Sequence, residues 1–294
     1  MQYMDLDAVQ SRMTKRIFFN RLSKMLFLAS AFFGLIVLAV LLYDVVSDSI
    51  GWLSIDFLTS LLSTNPDIAG IRGAILGTVW LMVIVGPVTM ILGVCTAIYL
   101  EEYARPSKFT TFIQTNISNL AGVPSIVFGL LGLTVFVRLF GLGSIVLAGG
   151  LTMSLLVLPI VVVASQESIR AVPAHLREAS FGMGATKWQT IKNVVLPVAL
   201  PGIFTGMILA ISRAIGETAP LVAIGIPALI IPAPSGIFDR FTALPMQIYY
   251  WTIDSVMVQE YAYLAAATIV VLLLILFTLN SIAILIRNKF DRRY

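Results

Sequence analysis

The chain has 294 residues, of which 59% are hydrophobic and only 12% charged, with a formal net charge of +4. Soluble domains carry about a quarter charged residues, so this composition excludes an ordinary water-soluble globule and points to a bilayer. The positive balance does not indicate nucleic acid: no basic stripe with interleaved aromatics occurs, and basic residues of membrane proteins gather on the cytoplasmic side.

A hydrocarbon core about 30 Å thick takes about 20 helical residues to cross. Apolar runs of that length predict an all-α, multi-pass protein with about six spans, at 25–46, 73–100, 111–137, 144–166, 195–219 and 261–286. Residues 1–24 read as a cytoplasmic N-terminal segment. The first apolar run begins near Met25 and is long enough to span, so it is expected to be a retained helix rather than a cleaved leader. Residues 25–72 then hold the first span and an external loop, 73–286 the transmembrane core, and 287–294 a cytoplasmic tail. Cys95, the single cysteine, lies within the second run and reads as a small packing residue. Glu101 and Glu102 fall at what reads as a solvated helix end.

Six crossings place both termini on one side, and basic residues assign that side to the cytoplasm. Arg12, Lys15, Arg16, Arg21 and Lys24 precede the first span, and Arg105 and Lys108 follow the second. Arg170, Arg177, Lys187 and Lys192 follow the fourth, and Arg287, Lys289, Arg292 and Arg293 follow the last. The 44–72 loop, expected outside, carries Asp44, Asp48, Asp56 and Asp67 against Arg72 alone. The apolar stretch 221–231 is about 11 residues long and interrupted by Gly225 and Pro227, too short to span; it is expected to be re-entrant or surface-lying. Residues 232–260 follow as an external loop with Tyr249, Tyr250 and Trp251 at the interface.

The polar stretch 173–197 reads as helix, turn, helix: Glu178 and Ala179 fall on the first helix, Gly184 permits the turn, and Pro197 opens the fifth span. Glu178-Ala179-Ser180, then Gly184, then Val194, Leu196 and Pro197 resembles the EAA loop of binding-protein-dependent ABC importer permeases, whose pattern is E-A-A, three residues, G, nine residues, I, one residue, L-P. Ser180 and Val194 are the departures. The resemblance narrows to phosphate-importer permeases of the PstA kind through Ala121–Leu130, through Ser212-Arg213-Ala214-Ile215-Gly216-Glu217-Thr218-Ala219-Pro220, and through Thr242–Tyr249.

That resemblance implies a type I importer permease fold and a multi-pass location in a bacterial inner membrane. It also implies a division of labour. A second, PstC-like permease shares the path, two copies of an ATPase subunit drive it, and an external phosphate-binding protein delivers inorganic phosphate. Glu178, Ala179, Ser180, Gly184, Leu196 and Pro197 would form the coupling element, within a loop at 173–194, that seats in the ATPase. No phosphate-cradling G-x-x-x-x-G-K-[ST] occurs, since Gly182 to Lys187 has the wrong spacing. No catalytic residue, metal or cofactor is expected on this chain, and its lone histidine, His175, has no ligand partners in sequence.

A charge at bilayer depth costs about 2.5–3.5 kcal/mol on insertion scales, which singles out Arg213 and Glu217 in the fifth span. At 100° per residue, Gly202, Gly206, Ala210, Arg213 and Glu217 share one face, expected to approach another permease helix. Gly202 and Gly206 in G-x-x-x-G spacing mean close helix packing. Arg213 and Glu217, with Thr218 beside them, are either a structural ion pair or a gate or anion contact on the path. Arg213 lies about 24 Å along the helix from Pro197, toward the outer half. Gln114, Asn116, Ser118 and Asn119 either line the path or hydrogen-bond between helices. The residues alone leave open a permease for another oxyanion or small solute, a passive channel or secondary transporter, and a membrane scaffold.

Overall fold

In a computed structural model, residues 6–229 and 232–290 are described, and among them the fold is helical, with one isolated bridge between Ile145 and Arg240 instead of a sheet. The helices are α1 (Leu6–Ser49), α2 (Ile55–Thr59), α3 (Arg72–Ile98), α4 (Lys108–Leu120), α5 (Ser125–Gly132) and α6 (Val146–Arg170). They continue as α7 (Ala174–Gly182), α8 (Lys187–Thr190), α9 (Leu196–Gly216), α10 (Ala219–Ile224), α11 (Leu244–Asp254) and α12 (Glu260–Phe290). Wider π-helical turns extend α3 at Tyr99–Tyr103, extend α5 at Leu133–Leu139, and lead into α9 at Ile191–Val195.

Among the described residues, five helical stretches are long and apolar enough to cross a membrane: Arg16–Ser49, Arg72–Tyr103, Val146–Arg170, Lys187–Gly216 and Glu260–Leu285. The third predicted span, 111–137, is not one helix. It breaks between α4 and α5 with a bend of 105°. Pro124 has no N–H to give and restricts the residue before it, so the helix stops at Leu120 and the chain turns through Gly122. α4 is about 20 Å long and the stretch from α5 through Leu139 about 22 Å, so neither half crosses alone. Together they carry the chain from the end bearing Glu101 and Glu102 to the end bearing Ile145, and the six-span count stands as five continuous spans and one broken one.

α6 is the axis of the bundle. Val146, Met153, Val157 and Val161 are buried among Leu81 and Val85 of α3, Ala210 and Ala214 of α9, Phe128 of α5 and Leu221 of α10. A second cluster closes one end, where Phe57, Leu62 and Ile71 pack with Leu244, Trp251 and Leu264. A third closes the other, joining Ala97 and Ile98 to Ile169, Val172, Ile191, Val195 and Ile203. α1 is different: its most apolar window has no buried residue, and it touches the bundle along α12. Its 44 residues extend about 66 Å, so the helix runs well past the membrane, and the expected boundary at residues 24–25 falls inside it.

Two further expectations are corrected. The 232–260 segment contains a packed helix: Thr78 Oγ1 accepts the Leu244 N–H at 3.0 Å, and Trp251 is buried against Phe57. Thr242–Tyr249 therefore forms the N-terminal flank and first turns of α11, with Leu244, Pro245, Met246 and Gln247 buried. Cys95 is exposed on α3 and packs in none of the three clusters. The basic tail residues Arg292 and Arg293 lie outside the described residues.

Candidate functional site

The 173–197 segment folds as its turn chemistry dictates. Pro173 precedes α7, Gly184 adopts the left-handed φ of +84° that a side chain resists, and Thr186 and Gln189 form a reciprocal capping box that starts α8. Ser180 shares a hydrogen bond of 2.8 Å with Thr190, tying α7 to α8. The serine that departs from the family pattern thus cross-links the two short helices. Leu196 is half-buried against the cluster that joins Ile98, Ile169 and Ile203, and Pro197 lies inside the continuous Lys187–Gly216 stretch, directly after the π-helical turn at Ile191–Val195, a local widening of the kind that accommodates a missing N–H.

The outer surface of this element is open. Glu178, Ala179 and Gly184 are exposed, and so are the large apolar side chains Phe181, Trp188 and Met183, the last at 88%. Exposed apolar groups concentrated on a polar excursion mark a contact surface. Sequence reasoning missed those three because single apolar residues in a polar loop carry no periodic signal. His175 is exposed on α7, and among the described residues no group of three His, Cys, Asp or Glu is placed to hold a metal.

Beneath α7 the structure overturns the reading of Glu101 and Glu102 as solvated. Their side chains are only 14% and 13% exposed. Glu101 accepts from Arg170 at 2.7 and 3.3 Å and from Gln166 at 3.1 Å. Glu102 accepts two bonds from Arg177, at 3.2 and 3.1 Å, while the same guanidinium donates to the Ile169 and Val172 carbonyls at 2.8 and 2.6 Å. The Lys187 ammonium lies 4.9 Å from the centre of the Tyr103 ring. The π-helical turn at Tyr99–Tyr103 presents all of these partners to the α6–α8 region; no periodicity in the sequence announces it.

Arg213, Glu217 and Thr218 gather at the other candidate site. α9 stops at Gly216, so Glu217 is its extended C-cap rather than a helical residue, yet Arg213 Nε still reaches Glu217 Oε1 at 3.2 Å. Thr218 begins α10, its carbonyl accepting from the Leu221 and Val222 amides. The ion pair is a single contact, with side chains 39% and 20% exposed. The expected glycine face is corrected: a Cβ on Gly202 would strike Ser168, and one on Gly206 would strike Ala164, so this stripe packs on α6 of the same chain. Arg213 stands at its exposed margin. α10 continues the chain for about 9 Å beyond the pair.

α5 lies alongside α10, Gly129 meeting Pro220 and Ala223 so closely that no side chain fits. Ser125, where the third span restarts, is one turn before Gly129, and Glu217 is three residues before Pro220. The two breaks in regular backbone therefore lie at one level beside each other. Irregular backbone at membrane depth is tolerated where protein covers it or a water-filled path runs past it. Asn116 bonds the Phe112 carbonyl within α4, and α4 has no buried residue, which makes Gln114, Asn116, Ser118 and Asn119 residues of an open helix.

A helical multi-pass bundle with a projecting helix-turn-helix and paired breaks in its spans agrees with the architecture expected of a transport permease. The chain belongs to the family described as binding-protein-dependent transport system inner membrane component, which it matches over residues 89–294. It is 38% identical to the probable ABC transporter permease protein YqgI of Bacillus subtilis over 66% of this chain and 68% of that protein. It is 37% identical to the phosphate transport system permease protein PstA 1 of Mycobacterium tuberculosis over 70% of this chain and 68% of that protein. In fold it is similar to a chain of the inward-facing MetNI methionine ABC transporter, with a TM-score of 0.60 at 19% identity, covering 76% of this chain and 96% of that one. A bacterial alginate ABC transporter chain aligns with a TM-score of 0.61 at 16% identity, over 96% of this chain and all of the other.

Proposed function

We propose that this chain is a PstA-type permease subunit that forms, with a second PstC-like permease, the membrane path for inorganic phosphate. Two copies of a separate ATPase subunit drive it, and an external phosphate-binding protein supplies it. The protein resides in a bacterial inner membrane with both termini cytoplasmic, 1–24 and 287–294 flanking a first span and outer loop (25–72) and a permease core (73–286). The chain carries no catalytic residue or cofactor of its own, and lipid surrounds it.

The observation that carries this reading is the helix-turn-helix at 173–194, whose exposed Glu178, Ala179, Phe181 and Met183 face away from the bundle while its base is fixed to two spans. Within it, Ser180 and Gly184 shape the coupling element, and Leu196 and Pro197 join it to α9. Arg213, Glu217 and Thr218 act on the translocation path, at the level where two spans lose regular backbone. Partial exposure of the pair in the single chain fits a surface completed by a partner helix. The test is reconstitution of the co-purified complex in vesicles. Phosphate uptake that requires both ATP and the binding protein is expected, with other oxyanions competing weakly. Uptake down a gradient without ATP would replace this reading with a passive carrier.

A further inference from the structure

The four charged residues Glu101, Glu102, Arg170 and Arg177 have no place in the motif that suggests coupling, yet they form the most heavily bonded polar cluster among the described residues. Arg177 makes four hydrogen bonds to three residues from its position on α7: two to Glu102 beyond α3, one to the Ile169 carbonyl in the last turn of α6, and one to the Val172 carbonyl just after it. Arg170 holds Glu101 with a two-point contact from α6, and Glu167 steadies the far side of that guanidinium at 3.0 Å. Gln166 supplies a further donor to Glu101.

The geometry points to Arg177 as a positioning residue that converts movement of α7 into movement of α3, through Glu102. This inference rests on the reading of 173–194 as the coupling element. Arg177 is held within the cluster, whereas the next two residues, Glu178 and Ala179, stay exposed. One short helix therefore offers an outer face to a partner and an inner handle to the bundle. A planar guanidinium with several fixed donors resists both rotation and separation; a lysine, with one compact charge, cannot hold a carboxylate and two carbonyls in that plan. The wider π-helical turn brings adjacent carboxylates to two different arginines, so α3 is gripped twice: by α6 through Glu101 and by α7 through Glu102. α6 and α3 also share the main core, whereas α7 contributes no buried residue of its own. Without Arg177, α7 keeps the packing of Leu176 and the Ser180–Thr190 bond but loses its side-chain hydrogen bonds to the π-helical extension of α3.

The test measures phosphate uptake, ATP hydrolysis and ATPase co-purification in the full complex for Glu102→Gln, Arg177→Lys and the double variant Glu102→Gln/Arg177→Gln, at matched membrane abundance. ATPase association and ATP hydrolysis are expected to persist while phosphate moved per ATP falls at least tenfold, in the double variant as well as in the singles. If the cluster only balances charge, the double variant leaves no unpaired ion and regains wild-type transport per ATP; that result overturns the inference, as does wild-type coupling in Glu102→Gln. Where a single variant fails to accumulate, the double variant decides. Glu178→Ala/Phe181→Ala, on the outer face, tests the underlying reading separately: ATPase association undiminished there defeats the coupling assignment whatever the cluster does.

Discussion

Replacing Gly129 with valine is the sharpest test of the arrangement around the paired breaks. A Cβ at this position would lie 2.7 Å from both Ala223 Cβ and Pro220 Cα, and 2.9 Å from the Pro220 carbonyl oxygen. Two of those atoms are backbone and the third is a methyl fixed to it, so no side chain can swing aside. α5 and α10 must separate. Overpacking of this kind costs about 1–3 kcal/mol, and at about 1.4 kcal/mol per tenfold a midpoint of 2 kcal/mol shifts the closed arrangement by about 30-fold. Gly216→Ala is the matched control, since nothing lies within 4 Å of its would-be Cβ and its φ is unexceptional. Thermal unfolding in detergent and ATP-driven uptake in vesicles should both fall for Gly129→Val and stay near wild type for Gly216→Ala. Equal behaviour of the two variants would refute the close contact of α5 with α10.

Three other outcomes are expected. Gly184→Val forces a β-branched residue to φ +84°, a strain of about 1–2 kcal/mol, and should weaken ATPase co-purification, whereas Gly182→Ala, in open space, should leave it intact. Arg213→Gln/Glu217→Gln should assemble normally but transport poorly; near-normal uptake at matched abundance would leave the pair a packing device. Asp239 is held below the usual carboxylate range by the Ser235 hydroxyl, then by the Ser235 and Gly236 amides. Because its folded value is depressed, its contribution is complete above the ordinary carboxylate value and disappears as pH falls through the lower folded value. The Asp239 carboxyl carbon resonance should therefore titrate below the ordinary carboxylate value, and Ser235→Ala, which removes the hydroxyl donor, should move that titration upward.

Membrane residence and the number of spans were legible in the residues because the bilayer imposes a length and polarity that local composition must obey. The helix-turn-helix at 173–197 was legible for a similar reason. Its start and turn rest on Pro173 and Gly184, whose backbone constraints act locally, whereas the helix restarts at the Thr186 cap, ahead of the expected Pro197. Even the Arg213–Glu217 contact survived an error in the local structure, because the two residues lie only four apart whether or not the helix reaches Glu217.

Only tertiary structure decided which surfaces meet. The Gly202–Gly206 stripe had two possible neighbours, and packing density, not spacing, assigned it to α6 of this chain. Pro124 was visible, but a proline in a membrane helix may kink it or end it, and the 105° break follows from α5 docking on α10. Glu101 and Glu102 looked like solvated residues because their partners, Arg170 and Arg177, lie 69 and 75 positions away in the chain. Charge pairing over that separation depends on how α3, α6 and α7 converge, and convergence is a property of the packed bundle that no window of sequence contains.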